Sequence, residues 1–262
     1  RCGPSAMPFL WWAYRLARTF VSAVQWLSTM TEILEHLERG ELNVTGRLVD
    51  ASNATLFAQC TYAQSEMAVI YKPVAGERPL WDFPDGNLAQ REFAAYLLSE
   101  ASGLKVVPPT VLRDGPFGIG MVQQWITIDE NVDLAKFYRE DLPELRGMAL
   151  FDAIINNTDR KIGHLLPHID GHLYGCDHGV TFHADDKLRT VLWQWANQQM
   201  TDEEVSLIAG LTEMITSRSL DLTSLLTAIE IEALLARIAR LKEVRKFPVP
   251  SGEWPAVPWP PF

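Results

Sequence analysis

Three cysteines in 262 residues, Cys2, Cys60 and Cys176, are too few and too far apart for a disulfide framework or a CxxC metal clasp. A reducing, cytoplasmic setting is therefore the expectation. Positive charge is also in short supply: 23 Lys and Arg stand against 33 Asp and Glu, a net charge of −10. A nucleic-acid or anionic-membrane binder needs a basic surface to displace counterions, so no nucleic acid is expected as a partner. No uninterrupted apolar run approaches the roughly twenty residues of a membrane span, and no stable span is expected. The nearest candidate, Met7 to Met30, is broken by Arg15 and Arg18 and lacks a clear small-residue cleavage site. Residues 1–30 are read as an N-terminal extension, either an ordinary helix or non-native sequence, with a signal or interfacial anchor as the alternative. The folded part is expected to begin near Thr31. A GxGxxG phosphate loop and internal repeats are missing as well.

What is present divides into two halves. A short helix is expected from Thr31 to Gly40. Strands are expected over Glu41 to Val49, Thr55 to Ala63 and Met67 to Tyr71, the first two joined by the polar turn Asp50-Ala51-Ser52-Asn53. Leu88 to Ser102 carries a helical stripe of Phe93, Ala94, Leu97 and Leu98, with Gly103 to close it. Val106 to Leu112 and Gly120 to Ile126 add two more strands. From Asp141 onward the pattern turns helical, with Pro143 in a first turn, a capping box at Thr201-Asp202-Glu203-Glu204 and helical periodicity from Ser224 to Lys246. Residues 248–262 hold six prolines and two tryptophans and suit an extended strap.

The chemistry-bearing residues fall at the boundaries of these elements. Asp159 ends a hydrophobic stretch in Asn156-Asn157-Thr158-Asp159-Arg160-Lys161. Asp177 follows in Cys176-Asp177-His178-Gly179, and between them Asp170-Gly171 marks a hairpin. Upstream, Lys72 ends a strand and Glu92 lies on the helix of the first half. Taken singly, each has an ordinary explanation as a surface lysine, a solvated helix glutamate or a turn aspartate. In this order they supply the parts of phosphoryl transfer. A lysine oriented by a carboxylate would hold nucleotide phosphates, a loop aspartate would manage the acceptor hydroxyl, and a second aspartate would hold a metal ion. Gln123-Gln124-Trp125-Ile126 sits where a hinge would present its backbone to an adenine edge.

Five of the six histidines, His164, His168, His172, His178 and His183, cluster around these aspartates. A zinc cluster would need the first three on one helix, and Pro167 and Asp170-Gly171 break it. A transition-metal hydrolase is thus the lesser alternative, and a mixed site of His164 with Asp177 on magnesium or manganese the better one. In the segment just after the second aspartate only Lys187 and Arg189 are basic, so a phosphoinositide acceptor is poorly supported.

From about Ala68 to Trp195 the chain resembles the phosphatidylinositol 3-/4-kinase-like family, particularly its type II phosphatidylinositol 4-kinase branch and bacterial relatives. The segments that carry the likeness are Val69-Ile70-Tyr71-Lys72-Pro73, Arg91-Glu92-Phe93-Ala94-Ala95-Tyr96-Leu97-Leu98, Val107-Pro108-Pro109-Thr110, Asn157-Thr158-Asp159-Arg160 and Cys176-Asp177-His178-Gly179-Val180-Thr181-Phe182. Trp81-Asp82-Phe83-Pro84 and the closing Trp254-Pro255-Ala256-Val257-Pro258-Trp259-Pro260-Pro261 resemble an actinobacterial group of that kind.

The resemblance implies a bilobal, protein-kinase-like α+β fold: an N-lobe over 31–122 with a small antiparallel sheet and one helix, a hinge at 123–127, a helical C-lobe over 128–247 and the tail. It implies ATP with Mg2+ or Mn2+, Lys72 on phosphate paired with Glu92, Asp159 as the catalytic-loop aspartate, and Asp177 on the metal. Arg160 or Lys161 would neutralise developing charge. The acceptor is left open among protein, small molecule and lipid head group. One departure stands out: the family places a metal-binding asparagine five residues after the catalytic-loop aspartate, and here that residue is His164. A hard ion prefers oxygen, so a pseudokinase or nucleotide-binding regulatory module is the second reading, with nucleotidyl transfer behind it.

Overall fold

The structure, a computed structural model, describes residues 28–48 and 53–262. Residues 1–27 and most of the turn expected at Asp50 to Asn53 lie outside the described residues. Helix α1 occupies 28–39 and stops at Gly40. Strands β1 (Glu41–Arg47), β2 (Leu56–Tyr62) and β3 (Ser65–Pro73) form a meander. After helix α2 (Leu88–Ser102), strands β4 (Thr110–Gly115) and β5 (Gly118–Gln124) complete a five-stranded antiparallel sheet of order β1-β2-β3-β5-β4.

The strand expected from Val106 begins only at Thr110. Pro108 and Pro109 have no amide to donate to a ladder, so the residues before Thr110 run as a connector instead. Helix α2 matches its expected bounds, because Asn87 caps it by accepting from the Gln90 amide and Gly103 takes the left-handed conformation at its end.

The rest of the chain is helical: α3 (Leu134–Phe137), α4 (Pro143–Ile155), α5 (Asp202–Thr216) and α6 (Ala228–Val244). Between α4 and α5 a small hairpin, β6 (Leu165–Pro167) with β7 (Leu173–Gly175), turns at Asp170-Gly171. The fold is thus bilobal α+β, as expected. Among the described residues no helix is long and apolar enough to cross a membrane.

Two hydrophobic cores underlie the two lobes. A small one, with Leu37, Ala58, Cys60, Val69, Tyr71 and Val122, lies beneath the sheet. A much larger one joins α4, α5 and α6 and reaches up to include Ala94, Ala95 and Leu98 of α2. Helix α2 therefore rests on the helical lobe as well as on the sheet. Buried Arg91 reinforces this by pairing with Glu230 of α6 and donating to Asp85 O (2.8 Å) and Asn87 O (3.2 Å). This mounting fixes the height and rotation of Glu92, one residue further on.

Candidate active site

Lys72, the penultimate residue of β3, projects toward α2 and β7. Its Nζ donates to Glu92 Oε1 at 2.6 Å and to Asp177 Oδ1 at 2.9 Å. Glu92 is 1% exposed, and its second oxygen accepts from the His178 amide at 2.9 Å, so one carboxylate holds both the lysine and the turn after Asp177. Asp177 adopts a left-handed backbone (φ 62°), a conformation aspartate tolerates better than most residues. Gly175 lets this turn approach the rest of the site: a Cβ there would lie 2.9 Å from Arg160 Nη1 and from Met148 Cε.

Asp159 leaves α4 by a different route. Asn156 ends the helix in a left-handed conformation (φ 53°). Asn157 then donates from Nδ2 to Asp152 Oδ1 (2.9 Å) and accepts from the Asp159 amide (3.0 Å), which shapes the loop around the aspartate. Asp159 Oδ2 lies 3.3 Å from Lys161 Nζ. His164, in the 3-10 turn Ile162–His164, sets Nε2 3.6 Å from Asp177 Oδ2. Asp159, His164 and Asp177 each bring one candidate ligand atom within 4.8 Å of the others.

The electrostatics match this arrangement. The Lys72 ammonium holds the Asp177 carboxyl well below the usual carboxylate range, against the opposing effect of burial. Burial opposes charge on Lys72, but Asp177 and Glu92 outweigh it and raise its pKa. Burial pushes Asp159 up; Lys161 pulls it back, the Asp177 charge pushes it further up, and Arg189 pulls back less strongly than Lys161. Burial lowers His164 to about 4, so its imidazole is neutral at physiological pH. Its Nδ1 is buried without a hydrogen-bond partner. A neutral imidazole beside two carboxylates is a donor set that suits manganese, which accepts a nitrogen ligand beside oxygens more readily than magnesium does.

Two of the expected site assignments change. Arg160 does not face the cleft: it is fully buried, its guanidinium grips Asp152 (Nη2 to Oδ1 2.9 Å, Nε to Oδ2 3.1 Å), donates to Cys176 O at 3.0 Å and meets His178 Nε2 at 2.7 Å. It ties the Asp159 loop to the Asp177 turn, and Lys161 is the cation that reaches Asp159. The hinge segment changes too. The Gln123 side chain is buried on Thr110 Oγ1 (2.9 Å), and the amides of Gln124 and Trp125 already donate to Pro109 O and Ala68 O. Among the described residues, the next amides in that segment, Ile126 and Thr127, donate to no protein acceptor.

With this geometry in view, a curated relative settles the lineage. Protein Rv2133c of Mycobacterium tuberculosis is 42% identical over 262 aligned residues, spanning 86% of this chain and 94% of the relative. The chain belongs to the Rv2133c family. No family model matches it. Among solved structures, the Golgi casein kinase with Mn/ADP bound superposes with a TM-score of 0.51 at 13% identity, covering 83% of this chain and 75% of that one. Hydra Fam20 with sugar gives 0.52 at 13% identity, covering 82% and 87%. These likenesses show that the Rv2133c family chain has an atypical, protein-kinase-like fold.

Residue-type reading missed the buried supports. Asp152 sits on the helical stripe of α4, where an acid reads as solvent-facing, yet it is fully buried and accepts from Arg160, Asn157 and Thr190. An acid inside an otherwise apolar Leu150 to Ile155 run was the available signal. The Pro/Trp tail also contributes. Pro261 O accepts from the Ile162 amide (2.8 Å), and Ala256 O accepts from the Thr190 amide (3.0 Å) and Trp193 Nε1 (2.9 Å), so the strap braces the loops on both sides of Asp159.

Proposed function

We propose that the chain is an ATP-dependent phosphotransferase, an atypical kinase of the phosphatidylinositol 3-/4-kinase-like type. The single observation that carries this reading is the convergence of Lys72, Glu92 and Asp177, from β3, α2 and the turn after β7, beside the Asp159 loop. No ordinary structural need brings a strand lysine, a helix glutamate and two loop acids to one cleft with Asp177 left half-exposed.

In this reading the N-lobe runs over 31–122, the hinge over 123–127, the C-lobe over 128–247 and the strap to 262. Lys72, kept charged and oriented by Glu92, holds the nucleotide phosphates. The adenine edge meets the Ile126 and Thr127 segment, whose amides donate to no protein acceptor among the described residues. Asp177 and His164, with Asp159 near them, would hold the divalent ion, Mn2+ in preference to Mg2+. When bound, the ion supplies charge neutralisation between the phosphates. Asp159, whose burial makes it a better proton acceptor than an exposed aspartate, orients the acceptor hydroxyl and takes its proton. Lys161 balances the charge that builds there. Holding the two oxygens in line accounts for most of the rate gain that such a site provides.

The neutral His164, with its Nδ1 unpartnered and its Nε2 toward Asp177, supports an ion-binding site, whereas a histidine in the family's asparagine position favours a nucleotide-binding regulatory module. A thermal-shift titration of ATP with manganese, magnesium or zinc separates these readings. Stabilisation by ATP that requires manganese and vanishes in Asp177→Ala supports the phosphotransferase. An ATP response indifferent to metal and to Asp177→Ala favours the regulatory module, and no response to ATP at all rejects both.

A further inference from the structure

Nearly every cation around the cleft is committed to a partner. Lys72 lies between Glu92 and Asp177, and Arg160 grips Asp152. Lys187 is buried over Trp254 and Trp81, with His183 Nε2 at 3.1 Å and Asp82 at 3.8 Å. Arg237 and Arg240 share Asp186. Arg189 differs. Its main chain is fixed, donating to Asn157 O at 2.9 Å and accepting from the Arg160 amide at 3.1 Å, so it lies alongside the very residues that flank Asp159. Yet among the described residues its guanidinium makes no hydrogen bond or ion pair, and its Nε is buried without a partner.

The pairing also sets its direction. Arg160 and Thr190 are bridged in parallel, and both send their side chains to buried Asp152. Where a chain is extended, successive side chains alternate, and the Arg189 charge acts on the Asp159 carboxyl, so Arg189 is placed on the side that carries Asp159. A buried, unsatisfied guanidinium Nε is costly, and an oxyanion satisfies it best because the planar fork donates to two oxygens at once.

We infer that Arg189, with Lys161 on the other side of Asp159, forms an anion-reading subsite for the phosphoryl acceptor, which is a small hydroxyl compound carrying a phosphomonoester or carboxylate a few bonds from its reactive hydroxyl. This rests on the phosphotransferase reading above and specifies its substrate class. The overall charge of −10 argues for a single oxyanion over a polyanionic surface, since two local cations set in an acidic protein attract one such group and not an extended array.

The test is calorimetric titration of the full chain, loaded with Mn2+ and a non-hydrolysable ATP analogue, with glycerol 3-phosphate, glycerate and glycerol. Glycerol 3-phosphate is expected to bind about tenfold or more tightly than glycerol. Arg189→Met should remove that advantage, and Arg189→Lys, which keeps the charge but loses the fork, should restore part of it; melting curves check that both variants fold. Binding of glycerate comparable to glycerol 3-phosphate shows a subsite that takes either oxyanion, and weaker binding assigns it to phosphomonoesters. Equal affinity of the wild type for all three probes, or an unchanged glycerol 3-phosphate affinity in Arg189→Met, overturns the inference while analogue binding leaves the phosphotransferase reading standing. Failure of the wild type to bind the ATP analogue overturns both.

Discussion

Arg160 with Asp152 and Lys72 with Glu92 and Asp177 are both ion-pair clusters that join a loop residue to a helix or strand, and they meet across Cys176 and His178. The first is closed: both side chains are fully buried, and Asp152 is further saturated by Asn157 and Thr190. The second is open on one side, with Asp177 half-exposed and His164 beside it lacking a partner on one ring nitrogen. A closed cluster has nothing left to offer a ligand, and its work is to hold geometry. An open one retains unspent hydrogen-bonding and metal-binding capacity, which is what a site for a phosphate or cation requires. The contrast also explains why an arginine in the expected catalytic loop turns inward while the lysine next to it reaches the cleft.

The comparison breaks most sharply at Arg160. Arg160→Met strands a buried carboxylate, and denaturant unfolding should show a loss of roughly 3–5 kcal/mol, or no soluble protein at all. Asp177→Ala is expected to do the reverse. Lys72 keeps Glu92, but the left-handed backbone at position 177 suits alanine less well than aspartate, so stability should fall by only about 1–2 kcal/mol, whereas phosphotransfer measured with labelled ATP and manganese should fall by roughly 10²–10³-fold. An equal stability loss in the two variants would erase the distinction between the clusters.

Titration sharpens the comparison further. Burial lowers the folded-state pKa of His164 from 6.5 to about 4, so between these values the unfolded chain binds a proton that the folded chain refuses. Stability should therefore rise with pH through that window, and the metal-free protein should lose roughly 2–3 kcal/mol from this residue as the pH falls from 6.5 to 4. His164→Asn should flatten that slope in denaturation curves taken across the window. Asp177 acts at lower pH. Because its folded pKa is depressed, its contribution is complete above the ordinary carboxylate range and is lost as pH falls below it. The smallest expected effect is at the strap: Trp254→Ala removes one face of the Lys187 cage and should cost about 1 kcal/mol in unfolding experiments.

Element by element, the chain announces those structures whose signals are local. Asn87 and Gly103 bracket α2, and Thr201 with Glu204 forms the capping box of α5. Thr227 with Glu230 carries the same signature and starts α6 at Ala228, four residues after Ser224, where helical periodicity alone places it. Asp170-Gly171 likewise marks the hairpin between the two aspartates. Periodicity placed β4 too early because apolar Val106 and Val107 read as strand, while the ladder depends on amides that Pro108 and Pro109 lack. Arg160, Asp152 and Gln123 could not be assigned from residue type, since a polar side chain shows only its chemistry, and its partners come from distant parts of the chain.

The sequence alone determined the order of elements, the two-lobed division and the presence of a lysine, a glutamate and two aspartates at the spacing on which the proposed phosphotransfer reading rests, because helix caps, turns and hydrophobic periods act over a few residues. Only the tertiary structure decided which of those charges face the cleft. Burial, mutual distance and saturation by partners depend on contacts such as Lys72 with Asp177, 105 residues apart, and these exist only once both cores have formed.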